Sequence, residues 1–362
     1  MKRRPLPLLI VGLVLALILA QCAPAPTPSP TPAAQPPATA PAAAPSPTAA
    51  PSPTAAPAKK FVIYHVPKAV GIDYFKSANQ GMEEAAKELG DVELHYEGSI
   101  NASAEEQIKV LEDIITKKPD ALIVSANDPQ ALVPVLKRAR EAGITVVTYD
   151  ADVLPEARIF FVNQATFEGI GKALIDEAAK QVGPEAKIAI ISTFPTAPNQ
   201  SRWVEEMKKY MAQAYPKMQL VDIRYGEDDQ AKSRQQATDL IAAHPEVQFL
   251  IVPTSVGCPG VADALEAAGK VGQIKMTCLA TPNGMRAYVK RGTLEAFYLW
   301  NVVDLGYLAM YVTHGLLTGE IKPTDKTVKA GRLGEREVGP DNVILLGPPF
   351  RFDKNNIDQF NF

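Results

Sequence analysis

Two short apolar runs, Ala121-Leu-Ile-Val124 and Phe249-Leu-Ile-Val252, stand 128 residues apart and constrain the fold more than any other feature of the chain. Four apolar residues in a row, without alternation, suit a strand covered on both faces of a parallel sheet. The same offset superimposes Pro67 on Pro195 and Gly98 on Gly226. Strand and helix signals alternate around each run. Residues 61–64, 92–96, 121–124, 145–148 and 159–162 read as strands, with helical stripes over 78–89, 105–116 and 132–142. Strands over 188–191, 220–223, 249–252 and 275–278 then alternate with helices over 203–214, 232–243 and 261–268. Parallel strands need crossover helices. The expected fold class is therefore α/β, with two doubly wound parallel-sheet lobes in tandem.

The connections between the repeats predict a hinge. Helix 167–181 leads from the first repeat into the second. Helix 302–317, after a strand over 296–299, has no partner in the second repeat, and a natural solution returns it to the first lobe. With a last passage near Ile321, the lobes would be joined by a three-strand hinge. Residues 59–162 and 300–320 then form lobe one, and residues 163–299 and 321–362 form lobe two. Open α/β sheets bind ligands beyond the carboxyl ends of their strands, so two facing sheets make a cleft able to close on a small solute.

The first 58 residues have a different character. Lys2-Arg3-Arg4 precedes an apolar run, residues 8–20, and then Leu19-Ala20-Gln21-Cys22, which reads as a secretory signal over 1–21. The run is shorter than the ~20 residues of a membrane-spanning helix. Its end resembles the lipobox of bacterial lipoproteins, which implies acylation of Cys22; Gln21 stands where that motif has a small residue, and an uncleaved signal anchor is the alternative. Residues 22–58 are almost all Ala, Pro, Thr and Ser after Cys22, a tether without a core. At ~3.1 Å per residue, an extended 23–58 segment reaches on the order of 100 Å. The expected location is outside the cell membrane, lipid-anchored to its outer face.

A formal net charge of −3, or −6 once Lys2, Arg3 and Arg4 are removed with the signal, argues against nucleic acid as a partner. Cys258 and Cys278 match no metal spacing and are expected as buried free thiols, although the location permits a disulfide.

Several stretches are similar to one family. Pro67-Lys-Ala-Val-Gly-Ile-Asp-Tyr-Phe75 followed by Gly81-Met-Glu-Glu-Ala-Ala-Lys-Glu-Leu-Gly90 resembles the first strand, loop and helix of type I periplasmic sugar-binding proteins, as do Ser125-Ala-Asn-Asp-Pro129 and Thr148-Tyr-Asp-Ala-Asp152. Asn199-Gln-Ser-Arg-Trp203, Leu299-Trp-Asn301 and residues 350–362 narrow the resemblance to the branch of rhamnose-binding and autoinducer-2-binding receptors of ABC importers. Lys68, Asp150, Gln200 and Pro253 carry the residue types that autoinducer-2 receptors have at the matching positions. Asn199 replaces an aspartate and Ser255 an alanine, which leaves the ligand open between the two patterns.

These residues also make chemical sense by themselves. Lys68 follows the first strand and can donate to a carbonyl or hydroxyl oxygen. Asp150 ends a strand, where its carboxylate can accept from two adjacent hydroxyls; a turn or capping role suits nearby Asp152 better. Asn199 and Gln200 both donate and accept, as a sugar hydroxyl requires. Pro253 and Ser255 follow the third strand of lobe two. Phe75, Tyr74 and Trp300 are candidates to stack on a sugar's apolar face, with Trp300 ahead of Phe75, whereas Trp203 is expected in the core.

No catalytic motif occurs, and His65, His95, His244 and His314 have no metal-ligand spacing. The expectation is a non-enzymatic, monomeric solute receptor without cofactor or metal. It binds a monosaccharide or sugar-like furanose and delivers it to an ABC permease. A sensory receptor feeding a chemoreceptor or kinase is the alternative.

Overall fold

The computed structural model describes residues 60–362. The expected signal over 1–21, the expected lipidation site Cys22 and the expected tether over 22–58 lie outside the described residues. The first half runs β1 (Phe61–Val66), α1 (Asp73–Leu89), β2 (Val92–Tyr96), α2 (Ala104–Thr116), β3 (Ala121–Val124), α3 (Val133–Glu141), β4 (Thr145–Tyr149) and β5 (Phe160–Asn163). The second half follows as α4 (Phe167–Val182), β6 (Lys187–Ser192), α5 (Pro198–Ala214), β7 (Gln219–Tyr225), α6 (Gln230–Ala243), β8 (Phe249–Val252), α7 (Gly257–Ala267), β9 (Lys275–Cys278), α8 (Pro282–Lys290) and β10 (Ala296–Leu299). The remainder is α9 (Val302–Thr318), β11 (Thr327–Lys329), β12 (Glu335–Glu337), β13 (Val343–Leu345) and β14 (Phe350–Asp353).

Local chemistry sets many of these boundaries. Ser103, Thr166, Asp229 and Thr281 cap α2, α4, α6 and α8 by accepting backbone N–H bonds from their first turns. Asn301 does the same for α9, accepting from Val303 and Asp304. Gly90 ends α1 with φ 84°, a conformation that other side chains resist.

The two sheets are parallel and share a topology. The first has the order β13-β5-β4-β3-β1-β2, the second β7-β6-β8-β9. The repeated runs, β3 and β8, are fully buried centre strands of their sheets. A parallel bridge from Leu279 to Tyr298 continues the second sheet to β10, which pairs antiparallel with β14.

As expected, α9 returns to the first sheet. It lies on α1, β3, β4 and β5. The approach is close enough that a Cβ at Gly306 would stand 1.9 Å from the carbonyl oxygen of Ala78, and one at Gly81 1.8 Å from that of Val303. Both glycines are there because backbone meets backbone.

Two expectations need correction. The last passage between lobes is not near Ile321, and residues 321–362 are not all in lobe two. After α9 the chain stays on the first lobe: Ile321 N–H donates to the Gly315 carbonyl, and β11 and β12 form an antiparallel pair. Then β13 adds to β5 as a parallel strand. The open edge of β5 offers unpaired backbone groups, and three residues suffice to satisfy them. So short a strand has no periodicity to read. The third crossing is therefore at 346–349, beside the first. There Leu346 N–H donates to the Asn163 carbonyl at 2.8 Å, and Gly347 N–H to that of Gln164 at 3.1 Å.

The second correction concerns the cysteines. Cys258 and Cys278 are not free thiols but form a disulfide, which ties the first turn of α7 to the carboxyl end of β9.

Candidate functional site

The side chains expected to bind ligand stand beyond the carboxyl ends of parallel strands, on the first turn of the helix that follows one, or on a crossing between lobes. Lys68 follows β1 and Asp150 follows β4, while Asn199 and Gln200 open α5 after β6. Pro253 and Ser255 follow β8, Trp300 follows β10, and Phe75 projects from the start of α1. All eight line one cavity between the lobes.

Hydrogen bonds across this cavity draw the lobes together. Lys68 Nζ donates to Asn199 Oδ1 at 2.9 Å and to Gln200 Oε1 at 3.4 Å. The Asp150 carboxylate accepts from Tyr74 Oη at 3.0 Å, Ser125 Oγ at 2.7 Å and Asn199 Nδ2 at 3.4 Å. Trp300 Nε1 donates to Tyr74 Oη at 2.9 Å, so a relay runs from the indole through the phenol to the carboxylate.

Asp150 is held under strain. Its φ of 61° is rare outside glycine, and Ala151 N–H reaches back to the Tyr149 carbonyl at 2.6 Å, closing a γ-turn around it. Below it, Tyr149 Oη meets His65 Nε2 at 2.6 Å, and His65 Nδ1 meets Asn79 Oδ1 at 3.0 Å. Asn79 Nδ2 is committed to Glu83, so its oxygen faces the imidazole, which must donate from Nδ1 and accept from Tyr149. Burial depresses the His65 pKa to about 4, against a smaller opposing effect of the Asn79 bond, and the ring is neutral. Burial likewise raises the Asp150 carboxyl above the usual carboxylate range, although the Lys68 charge and the Ser125 and Tyr74 hydroxyls pull the other way.

Three features of the cavity were not legible in the sequence. Asp228, in the loop after β7, lines it and accepts from Thr254 Oγ1 at 2.7 Å. The signal that could have found it is positional: Gly226 ends the second strand of its lobe, and the loop after such a strand faces the cleft. Tyr74, a candidate to stack on sugar, lines the cavity and in addition bridges Trp300 and Asp150 through its hydroxyl. Trp203 is buried, as expected of a core residue, yet it also lines the cavity, 6.1 Å from Trp300 between ring centres, and among the described residues its Nε1 has no partner. Among the described residues, no group of three or more His, Cys, Asp or Glu is placed to hold a metal ion.

Residues 63–321 match the periplasmic binding protein domain family. The chain belongs to that family. The resemblance read from residues 67–75, 81–90, 125–129 and 148–152 therefore holds. A curated relative, the D-ribose/D-allose-binding protein of Pseudomonas aeruginosa, is 27% identical over 238 residues, covering 64% of this chain and 74% of the relative. Among solved structures, an ABC transporter solute-binding protein from Clostridium phytofermentas with bound L-rhamnose is 29% identical, with a TM-score of 0.79 over 83% of this chain and 98% of that one. LsrB from Clostridium saccharobutylicum in complex with AI-2 is 28% identical, with a TM-score of 0.79 over 83% of this chain and all of the other. Like these members of the family, the chain is a binding protein and not an enzyme. Membership places its folded part outside the cytoplasm.

Proposed function

We propose that this protein captures a neutral monosaccharide or sugar-like furanose between its lobes and delivers it to the permease of an ABC importer. The observation that carries this reading is the single cavity into which both lobes send buried polar side chains: Lys68 and Asp150 from one, Asn199 and Gln200 from the other. Carboxylates accept from adjacent hydroxyls, and amides serve a hydroxyl in both directions. The rings of Phe75 and Trp300 offer apolar faces for the C–H side of a sugar. Relatives that bind D-ribose or D-allose, L-rhamnose and AI-2 support a ligand of this size and chemistry. The protein acts as a monomer, anchored through acylated Cys22, and residues 23–58 are the leash that lets a tethered receptor reach its permease.

The test is a thermal-shift panel of pentoses, 6-deoxyhexoses, allose and autoinducer-2 on the purified protein, since ligand binding raises stability by mass action. A saturable shift with one neutral member supports the reading. No shift with any of them, or ligand recovered chemically altered after incubation, rejects it. Deleting residues 23–58 is expected to spare binding in vitro and to impair uptake in cells.

A further inference from the structure

Lobe two has three consecutive acids after β7, and they have three different fates. Glu227 forms a salt bridge with Lys232 on α6. Asp229 caps α6, its Oδ1 accepting from Lys232 N–H at 2.7 Å. Asp228 alone lines the cavity. The backbone is built to turn it inward: Gly226 and Glu227 N–H donate to Ser192 and Thr193 carbonyls at 2.8 and 2.9 Å, extending the pairing of β7 with β6. Glu227 and Asp228 then both take left-handed conformations, φ 56° and 48°. Gly226 passes so close to α6 that a Cβ there would meet Ser233 Oγ at 2.1 Å. Consecutive left-handed residues are costly, and such strain gathers where a side chain must be aimed.

We propose that Asp228 is the hydroxyl anchor of lobe two, so that a neutral polyhydroxylated ring is gripped between one aspartate from each lobe, Asp150 and Asp228. This deepens the sugar-binding reading above and rests on it. Lobe two otherwise offers the cavity amides and hydroxyls, and Asn199 is already engaged by Lys68 and Asp150. Among the described residues, one hydrogen bond reaches the Asp228 carboxylate, from Thr254 to Oδ1, which leaves Oδ2 for a ligand hydroxyl. Burial holds this carboxyl above its ordinary range, with the Lys68 charge opposing and Asp150 adding to the effect. A ligand hydroxyl would relieve that cost. Two carboxylates against one ammonium also make the cavity unwelcoming to sugar acids and sugar phosphates.

The experiment is calorimetric titration of wild type and Asp228→Asn with the tightest-binding sugar of the panel and each of its monodeoxy analogues. Asparagine keeps the shape and tolerates the left-handed backbone. The variant should bind the parent sugar roughly 4- to 12-fold more weakly, the difference between a charge-assisted hydrogen bond and the neutral one that asparagine keeps. For at least one monodeoxy analogue, lacking the hydroxyl that Asp228 holds, wild type and variant should agree within about twofold. Asp228→Ser should give the same pattern if the first variant folds poorly. Binding of the parent within about twofold of wild type overturns the proposal. So does an equal loss for the parent and every analogue, which marks a role in the fold alone. If wild type binds no sugar of the panel, the sugar-binding reading falls and this inference with it; wild-type binding insensitive to residue 228 removes only the inference.

Discussion

Replacing Asp150 with asparagine separates what its charge does for a ligand from what it does for the fold. A carboxylate has about four acceptor positions, and three are engaged, by Tyr74, Ser125 and the long 3.4 Å contact from Asn199. One position is open, and the Asn199 contact is weak enough for a second hydroxyl to displace it. Each charge-assisted bond contributes about 1.5–3 kcal/mol and a neutral one about half that. Asp150→Asn should then cost about 1.5–3 kcal/mol of binding over the two bonds, a roughly 10- to 150-fold weaker Kd by calorimetry. The unliganded protein should respond differently. The Asp150 carboxyl is raised above its unfolded value, so its ionised form opposes folding at neutral pH, and stability from this group is gained as pH falls. Removing the charge should leave the unliganded melting temperature unchanged or higher. Asp150→Ala should lower it, because the Tyr74 and Ser125 hydroxyls lose their acceptor and alanine at φ 61° costs about 1–2 kcal/mol. An Asp150→Asn protein that binds within about twofold of wild type would refute this account of the cleft.

Three further outcomes concern the frame around the site. Gly306→Ala should lower the melting temperature by several degrees, because its methyl would lie 1.9 Å from the Ala78 carbonyl oxygen and force α9 off α1; a variant as stable as wild type would mean that the helices separate freely. Reducing the Cys258–Cys278 bond, which closes a 20-residue separation, should cost roughly 3 kcal/mol in denaturant titrations, and equal midpoints with and without reductant would contradict this. Burial opposes the charge of Glu177, but donors from Arg351, Gln181 and Tyr298 outweigh it and pull its pKa down to about 2. This depressed carboxylate contributes stability above its unfolded pKa, lost as pH falls from about 4.5 towards 2, and worth on the order of 3 kcal/mol. Glu177→Gln should flatten the acid limb of the stability profile by that amount, and an unchanged limb would exclude the pair with Arg351 as its cause.

The sequence by itself determined the two sheets and the return of α9, and its resemblance to sugar-binding receptors pointed to eight residues that line the cavity. The sheets follow from local rules. Continuous apolar runs such as β3 and β8 mark buried parallel strands, and a loop after such a strand must open towards the cleft. What only the tertiary structure decided depends on partners far apart in the chain. The β13 strand exists because the edge of β5, some 180 residues earlier, needs covering, and nothing within its three residues announces it. Cys258 and Cys278 pair because α7 and β9 bring them side by side, which their spacing alone cannot reveal. Asp228 sits in a run of three acids with ordinary turn and capping chemistry. Two left-handed residues and a hydroxyl from the neighbouring β8 loop are what turn it, alone of the three, into the cavity.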